Sequence, residues 1–215
     1  MKLYGYWRSS AAYRVRIALH HKGIAFETVP VNLAKGEQKG ASYRDVNPQA
    51  LIPTLVDGDR VLHQSLAILE YLEETHPSPA LLPKGPGERA RVRALADLVA
   101  CDIHPLQNTR VLAYLGEVLG ASDEQKSAWF ARWIGDGLAA FEKLVAAHPE
   151  TGRFSHGDSL TLADVLLVPQ LGNARRWKVP LDAMPTLQRI EAACLELDSF
   201  RRAHPSQQPD HVEGA

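Results

Sequence analysis

Apolar and polar positions change period several times along the first third of the chain. KLYGYW (2–7) is a short apolar run that predicts a strand. From Val15 the apolar Val15, Ala18 and Leu19 recur at helical spacing until Gly23 stops the pattern, which predicts a helix from about Ala12 to Lys22. FETVPV (26–31) predicts a second strand, so the three elements form a βαβ unit with a parallel pair. PTLV and RVLH flank the turn residues of DGD, a hairpin signal, and a helix follows from Ser65 to about Thr75. Within NPQALIP (47–53) the Ile52–Pro53 bond is a candidate for the cis form.

HPSPALLPKGPGE (76–88) is dense in proline and glycine and marks a linker. Beyond it, apolar patterns of helical period run over about 88–119, 123–147, 161–174 and 185–198, with no strand pattern. The expected organisation is an α/β domain over 1–83 and an all-α domain over 88–215. The polar, aperiodic tail HPSQQPDHVEGA is expected to be loose or to lie across the surface.

Composition narrows the function classes. The 215 residues are 45% hydrophobic, enough for a real core. Lysine and arginine number 24 against 25 acidic residues, and no segment concentrates the basic ones, which argues against nucleic acid as a partner. No apolar run approaches the ~20 residues of a membrane span, and no signal-peptide order opens the chain, so the expectation is a cytoplasmic protein with no membrane partner. Cys101 and Cys194 stand far apart with no CxxC, which suggests neither a disulfide framework nor a zinc site. Both are expected in the core or at a helix contact.

Several clusters carry candidate chemistry. Arg8, Ser9 and Ser10 stand where the first strand turns into the first helix. Serine there can simply cap the helix. The same place favours an anion, through unmet N–H groups and the positive end of the helix dipole. Gln64 and Ser65 open the next helix in the same way. In CDIHPLQNTRVLAYL, Pro105 lies inside a periodic stretch and is expected to kink it by disfavouring helical geometry at His104. His104, Asn108 and Arg110 then fall near one side of the helix, whereas Asp102 and His104 at i, i+2 share no face and make a poor metal pair. Thr161 and Asp164 have capping-box spacing, a folding role. Arg175 and Arg176 near a helix end are ordinary dipole partners. No GxSxG, HExxH, P-loop or GxGxxG occurs.

Together, WRSSAAYRVRIALHHKG, NPQALIPTL, HQSLAILEYLEE, ALLP, DIHPLQNTRVLAYL and GDSLTLADVLLVPQ resemble the zeta class of the glutathione transferase family over essentially the whole chain. The resemblance implies a thioredoxin-like glutathione-binding domain, an all-helical second domain and a homodimer. It implies that Ser9, with Ser10 beside it, supports the glutathione sulfur. It places Gln64 and Ser65 on the γ-glutamyl end, and the Ile52 backbone, before a cis Pro53, alongside the tripeptide as an added strand. Gln38, Gln49, His104 and Asn108 are further expected contacts. Arg8, Arg110 and Arg176 are the expected substrate-binding residues. The class commonly reads Ser-Ser-Cys at the opening motif; here the third position is Ala11, so no cysteine takes part.

The implied activity is glutathione-dependent cis–trans isomerisation of a maleyl diketo acid, with maleylacetoacetate first, maleylpyruvate as the alternative and general glutathione transfer behind them. A thiol of pKa ~8.5 is only about 3% ionised at pH 7, and lowering it by two units requires roughly 2.7 kcal/mol. A helix dipole supplies about 0.3–1 kcal/mol at an exposed site, so a serine hydroxyl donating to the anion, worth about 1.5–3 kcal/mol, is needed beside it. Three arginines suit a small dianion better than a neutral substrate. A non-catalytic binding module would not need them, and a thiol–disulfide oxidoreductase would want a cysteine where Ala11 and Ala12 stand.

Overall fold

A computed structural model describes residues 1–213. The chain divides into two compact units, Met1–Leu81 with Leu195–Ala215, and Leu82–Cys194.

The first unit is built on four short strands, β1 (Lys2–Gly5), β2 (Glu27–Pro30), β3 (Thr54–Asp57) and β4 (Arg60–His63), in the order β2-β1-β3-β4. β1 runs parallel to β2 and antiparallel to β3, with Leu3 opposite both Thr28 and Leu55. Gly58, at φ +57°, supplies the left-handed residue that closes the β3–β4 hairpin. Helices α1 (Ser10–His21) and α3 (Ser65–Thr75) bury Val15, Ile17, Leu19, Ile68, Leu69 and Leu72 with Leu3 and Leu55. A single turn, α2 (Ala41–Arg44), lies between β2 and β3. This is the thioredoxin-like arrangement that the resemblance implies.

The apolar period gives no sign of two polar anchors inside this unit. Lys22, its side chain fully buried, donates from Nζ to Glu73 Oε2 (2.7 Å), His76 O (2.7 Å) and Pro79 O (2.8 Å). Glu73 in turn accepts from the Leu81 N–H (3.0 Å). Arg16, also buried, donates to Tyr6 O (3.4 Å), Trp7 O (3.0 Å) and Ala203 O (3.0 Å). Burial lowers its pKa to about 10, which leaves it cationic at neutral pH.

The Arg16 bond to Ala203 explains a difference from the sequence reading, which assigns everything after residue 88 to the helical domain. α10 (Asp198–Ala203) packs on α1, with Phe200 and Ala203 fully buried and the Tyr13 hydroxyl donating to Phe200 O (3.3 Å). Of its two expected courses, the tail takes the second and is held against the first unit. A 3₁₀ turn follows at Pro205–Gln207, Gln208 is buried, and Asp210 accepts from the Trp7 N–H (2.9 Å).

His20, His21 and His204 all belong to the first unit, and burial lowers all three pKa values below 6.5. The unfolded chain therefore binds more protons than the folded one below that value, so stability rises with pH there. The contribution is present above about pH 6.5 and is lost as pH falls below it. Urea midpoints are expected to be lower at pH 5.5 than at pH 7.5, by less in a variant carrying glutamine at all three positions.

The second unit contains α4 (Pro86–Asp97), α5 (His104–Leu106), α6 (Thr109–Glu117), α7 (Asp123–Ala146), α8 (Leu162–Arg176) and α9 (Pro185–Leu195), with no strand among its described residues. Between α4 and α5 the helix widens into a π turn, Leu98–Ile103, in which the His104 N–H reaches back to Val99 O. Pro105 has no N–H to offer the Cys101 carbonyl, and the wider turn accommodates it. His104 consequently keeps helical angles (φ −61°, ψ −40°), contrary to the expected kink there. The break falls at Gln107 (φ −109°, ψ 14°) and Asn108 (φ −68°, ψ 147°). Asp164 accepts from Thr161 N–H (2.9 Å), Thr161 Oγ1 (2.7 Å) and Ser155 N–H (2.8 Å), realising the capping role. Cys194 is buried, but Cys101 is exposed, which corrects the expectation for that residue. Among the described residues no helix is long and apolar enough to cross a membrane.

Candidate active site

The opening of α1 is set by Ser9. It is the N-cap (φ −71°, ψ 118°), its Oγ accepting from the Ala12 N–H at 3.2 Å, so the helix begins at Ser10, earlier than the apolar period suggests. The capping bond occupies the hydroxyl as an acceptor only. Its proton remains available to an anion, in the place where the helix dipole also favours one. Ser10 is buried in the first turn, as is Ala11, whereas Arg8 and Ser9 are half-exposed. The Arg8 guanidinium carbon lies 5.5 Å from the centre of the Trp7 ring.

At the opening of α3 the expected caps are absent. Ser65 is the first helical residue, and its Oγ accepts from Arg14 Nη1 (3.2 Å), a buried bond between α1 and α3. Gln64 holds the N-cap position at φ +67°, in the left-handed half of backbone space, and its side chain makes no capping bond. The first intrahelical bond is Ile68 N–H to Gln64 O (3.0 Å), so the N–H groups of the first turn are left for a ligand oxygen or solvent. Gln64 Nε2 donates to Gln49 Oε1 (2.9 Å), which brings two of the expected site residues together.

The loop before β3 is braced from below. Tyr43 and Asn47 both donate to Leu51 O (2.7 Å each) and both bond Thr54 Oγ1, while the Gln49 N–H donates to Asn47 Oδ1 (3.0 Å). The Ile52–Pro53 bond is cis. Ile52's own N–H and carbonyl have no hydrogen-bond partner among the described residues, so the loop offers an unpaired stretch of backbone. Gln38, on a 3₁₀ turn at Glu37–Lys39, is buried with its Oε1 lacking a partner. A buried amide oxygen left unbonded is costly, and a ligand N–H would satisfy it.

The second unit holds the other four expected residues, and its segments separate them. The sequence treats His104, Asn108 and Arg110 as one side of a single helix. Because the helix breaks at Gln107 and Asn108, they lie on α5, at a cap and on α6. Asn108 Oδ1 accepts from the Arg110 N–H (3.1 Å), a capping role. The Arg110 side chain is exposed. Arg176, in the last turn of α8, is exposed and lies over Trp177 (5.8 Å), which stacks on Phe130 (4.1 Å). Its neighbour Arg175 is instead paired with Glu191.

Sequence reasoning missed Arg14, Tyr43, Asn47 and Asp210, which hold the motifs in place. Two arginines inside the apolar stretch YRVRIAL were the available signal, because a buried guanidinium demands acceptors from elsewhere in the fold.

Glutathione carries two carboxylates, amide groups and a thiol. The residues of the first unit fit it: a hydroxyl and helix N-terminus for the sulfur, a second helix N-terminus for a carboxylate, unpaired backbone at Ile52 and the orphaned Gln38 oxygen for amides.

Residues 8–75 match the sequence model of the glutathione S-transferase N-terminal domain. The chain is 50% identical over 204 residues to the maleylacetoacetate isomerase of Rhizobium meliloti, covering 94% of this chain and 95% of that one. It is also 50% identical to a solved holo maleylpyruvate isomerase, a bacterial zeta-class glutathione S-transferase, with a TM-score of 0.97 over 99% of this chain and 100% of that chain. The maleylacetoacetate isomerase of Anaeromyxobacter dehalogenans, solved with glutathione in its active site, is 47% identical with a TM-score of 0.88 over 98% and 97% of the two chains.

Proposed function

The chain belongs to the zeta class of the glutathione S-transferase family, and from that premise we propose that it uses glutathione to convert a maleyl diketo acid from the cis to the trans form. Maleylacetoacetate is the first candidate substrate and maleylpyruvate the second, since the chain is equally close, at 50% identity, to an isomerase of each kind. The observation that carries the reading is the opening of α1. There the Ser9 hydroxyl has its acceptor role filled by Ala12 and its proton left for an anion, with the Arg8 guanidinium adjacent in the chain.

Glutathione, when bound, supplies a sulfur nucleophile that adds reversibly to the conjugated double bond, which permits the rotation an intact double bond forbids. Ser9 donates its hydroxyl proton to the negative charge at the mouth of α1, worth about 1.5–3 kcal/mol for a charged acceptor. The α1 dipole adds about 0.3–1 kcal/mol. Ser10 stands beside Ser9 at the start of the first turn. Gln64, Ser65 and the first-turn N–H groups of α3 hold a carboxylate, Ile52 pairs through its backbone next to Pro53, and Gln38 and Gln49 bond amide groups. The resemblance to the zeta class assigns His104 and Asn108 further contacts to the tripeptide. Arg8 binds the substrate's carboxylate and neutralises the charge that develops on its oxygen, and the resemblance assigns Arg110 and Arg176 to substrate binding as well. The working form is a homodimer, as the resemblance to the zeta class implies, and the cytoplasm is its expected location.

The test is loss of the cis diketo acid's absorbance with purified protein, using maleylacetoacetate and maleylpyruvate in parallel, with and without glutathione. Turnover of at least one substrate is expected, and only with glutathione. Turnover of neither overturns the reading in favour of a binding module.

A further inference from the structure

Residue 210 is 203 positions away from residue 7, yet the Asp210 carboxylate accepts the Trp7 N–H at 2.9 Å. The neighbouring His211 ring meets the Trp7 ring edge-on, with centroids 4.7 Å apart. On its other side the Trp7 carbonyl accepts from Arg16 (3.0 Å), the same guanidinium that holds Ala203 O, and Arg16 interacts favourably with the Asp210 charge. Trp7 is buried, so its ring forms a fixed surface. Arg8 extends over that ring, 5.5 Å from its centre.

We infer that Asp210, with His211 beside it, is a positioning residue for Arg8: the C-terminal segment fixes the backbone and ring of Trp7 and thereby where the Arg8 guanidinium meets a carboxylate. The inference rests on the role proposed for Arg8. The physical reason lies in Arg8 itself. A long, half-exposed side chain has many rotamers, and holding it in one costs entropy at each binding event unless the surface beneath it is rigid. Ser9 is held by bonds that do not involve Asp210, through Ala12 and by its own N–H to Tyr6 O (3.0 Å). Loss of Asp210 therefore acts on anion binding through Arg8 and spares the sulfur site.

A merely structural tail would lower everything together, which makes the inference testable by selectivity. Malonate is titrated calorimetrically into protein saturated with glutathione, and glutathione is titrated separately. Asp210→Ala is expected to weaken malonate about tenfold while leaving glutathione affinity within about twofold. Asp210→Asn, which keeps an acceptor oxygen, is expected to restore malonate affinity to within about threefold of the wild type. KM for the diketo acid is expected to rise with the malonate constant, while conjugation of a neutral electrophile is unchanged. If Asp210→Ala does not fold, His211→Ala is the second variant, with a malonate loss of about threefold expected. The inference is overturned by unchanged malonate affinity, by a parallel loss of malonate and glutathione, or by a wild type that binds no malonate. A wild type that isomerises neither diketo acid removes the proposed reaction instead, and the malonate titration still decides the role of Asp210.

Discussion

Lys22→Met is expected to destabilise the protein by about 3–5 kcal/mol, read as a fall in the denaturant midpoint at pH 7. The side chain of Lys22 is fully buried and that of Glu73 nearly so, with the ammonium spending all three protons on Glu73, His76 and Pro79. Methionine fills the space but leaves the buried Glu73 carboxylate without its ammonium, although the Leu81 N–H still donates to it. Carbonyls at 76 and 79 lose their donor as well. The double variant Lys22→Met/Glu73→Gln is expected to recover part of the loss, because glutamine still accepts from Leu81 and carries no charge. Equal stability of the single and double variants would show that the cost lies in packing and not in the carboxylate deprived of its ammonium.

Arg8→Ala is expected to lower kcat/KM for the diketo acid by about a hundredfold, the effect of losing one charge-assisted bidentate contact. Conjugation of glutathione to a neutral electrophile is expected to fall by no more than about threefold, since the Ser9 hydroxyl and the α1 dipole are untouched. Steady-state kinetics with both substrates separates the two effects. Equal losses would mean that Arg8 serves the sulfur site and does not bind the substrate. Arg8→Lys tests geometry against charge, because an ammonium cannot engage two oxygens in one plane.

Local signals made much of the first unit legible. Its strands are short and bounded by turn residues, and Gly58 marks the hairpin through its positive φ. The start of α3 at Ser65 and the second unit's lack of strands also followed from period alone. The start of α1 is not visible in the apolar period, because Ser10 and Ala11 break no helical rule but add nothing to it; the cap at Ser9 carries that information. The π turn before Pro105 leaves no periodic trace over so few residues, and the helix break moved to Gln107 in consequence. Ser65 looks like a cap in sequence and is instead the acceptor for Arg14, a partner 51 positions away. The same is true of the tail, where Phe200 and Ala203 are too sparse to announce a buried helix face, although they form one. Contacts of long sequence separation are what a window of a few turns cannot hold.

The return of the C-terminal segment also orders events during synthesis. The first unit is discontinuous, with Leu82–Cys194 lying between its two pieces in the chain. A ribosome releases the second unit complete while the first still lacks α10, the acceptor at Ala203 and the carboxylate at Asp210. Arg16 is then without one of its three carbonyl partners, and the backbone at Trp7 is held from one side only. Folding of the intervening residues shortens the flexible length that must close before residue 210 reaches residue 7, which lowers the entropic cost of that closure. The pieces that complete the glutathione-binding half are therefore translated after the second unit, so a chain stalled before residue 198 carries the motif at Arg8 and Ser9 without the segment that braces it.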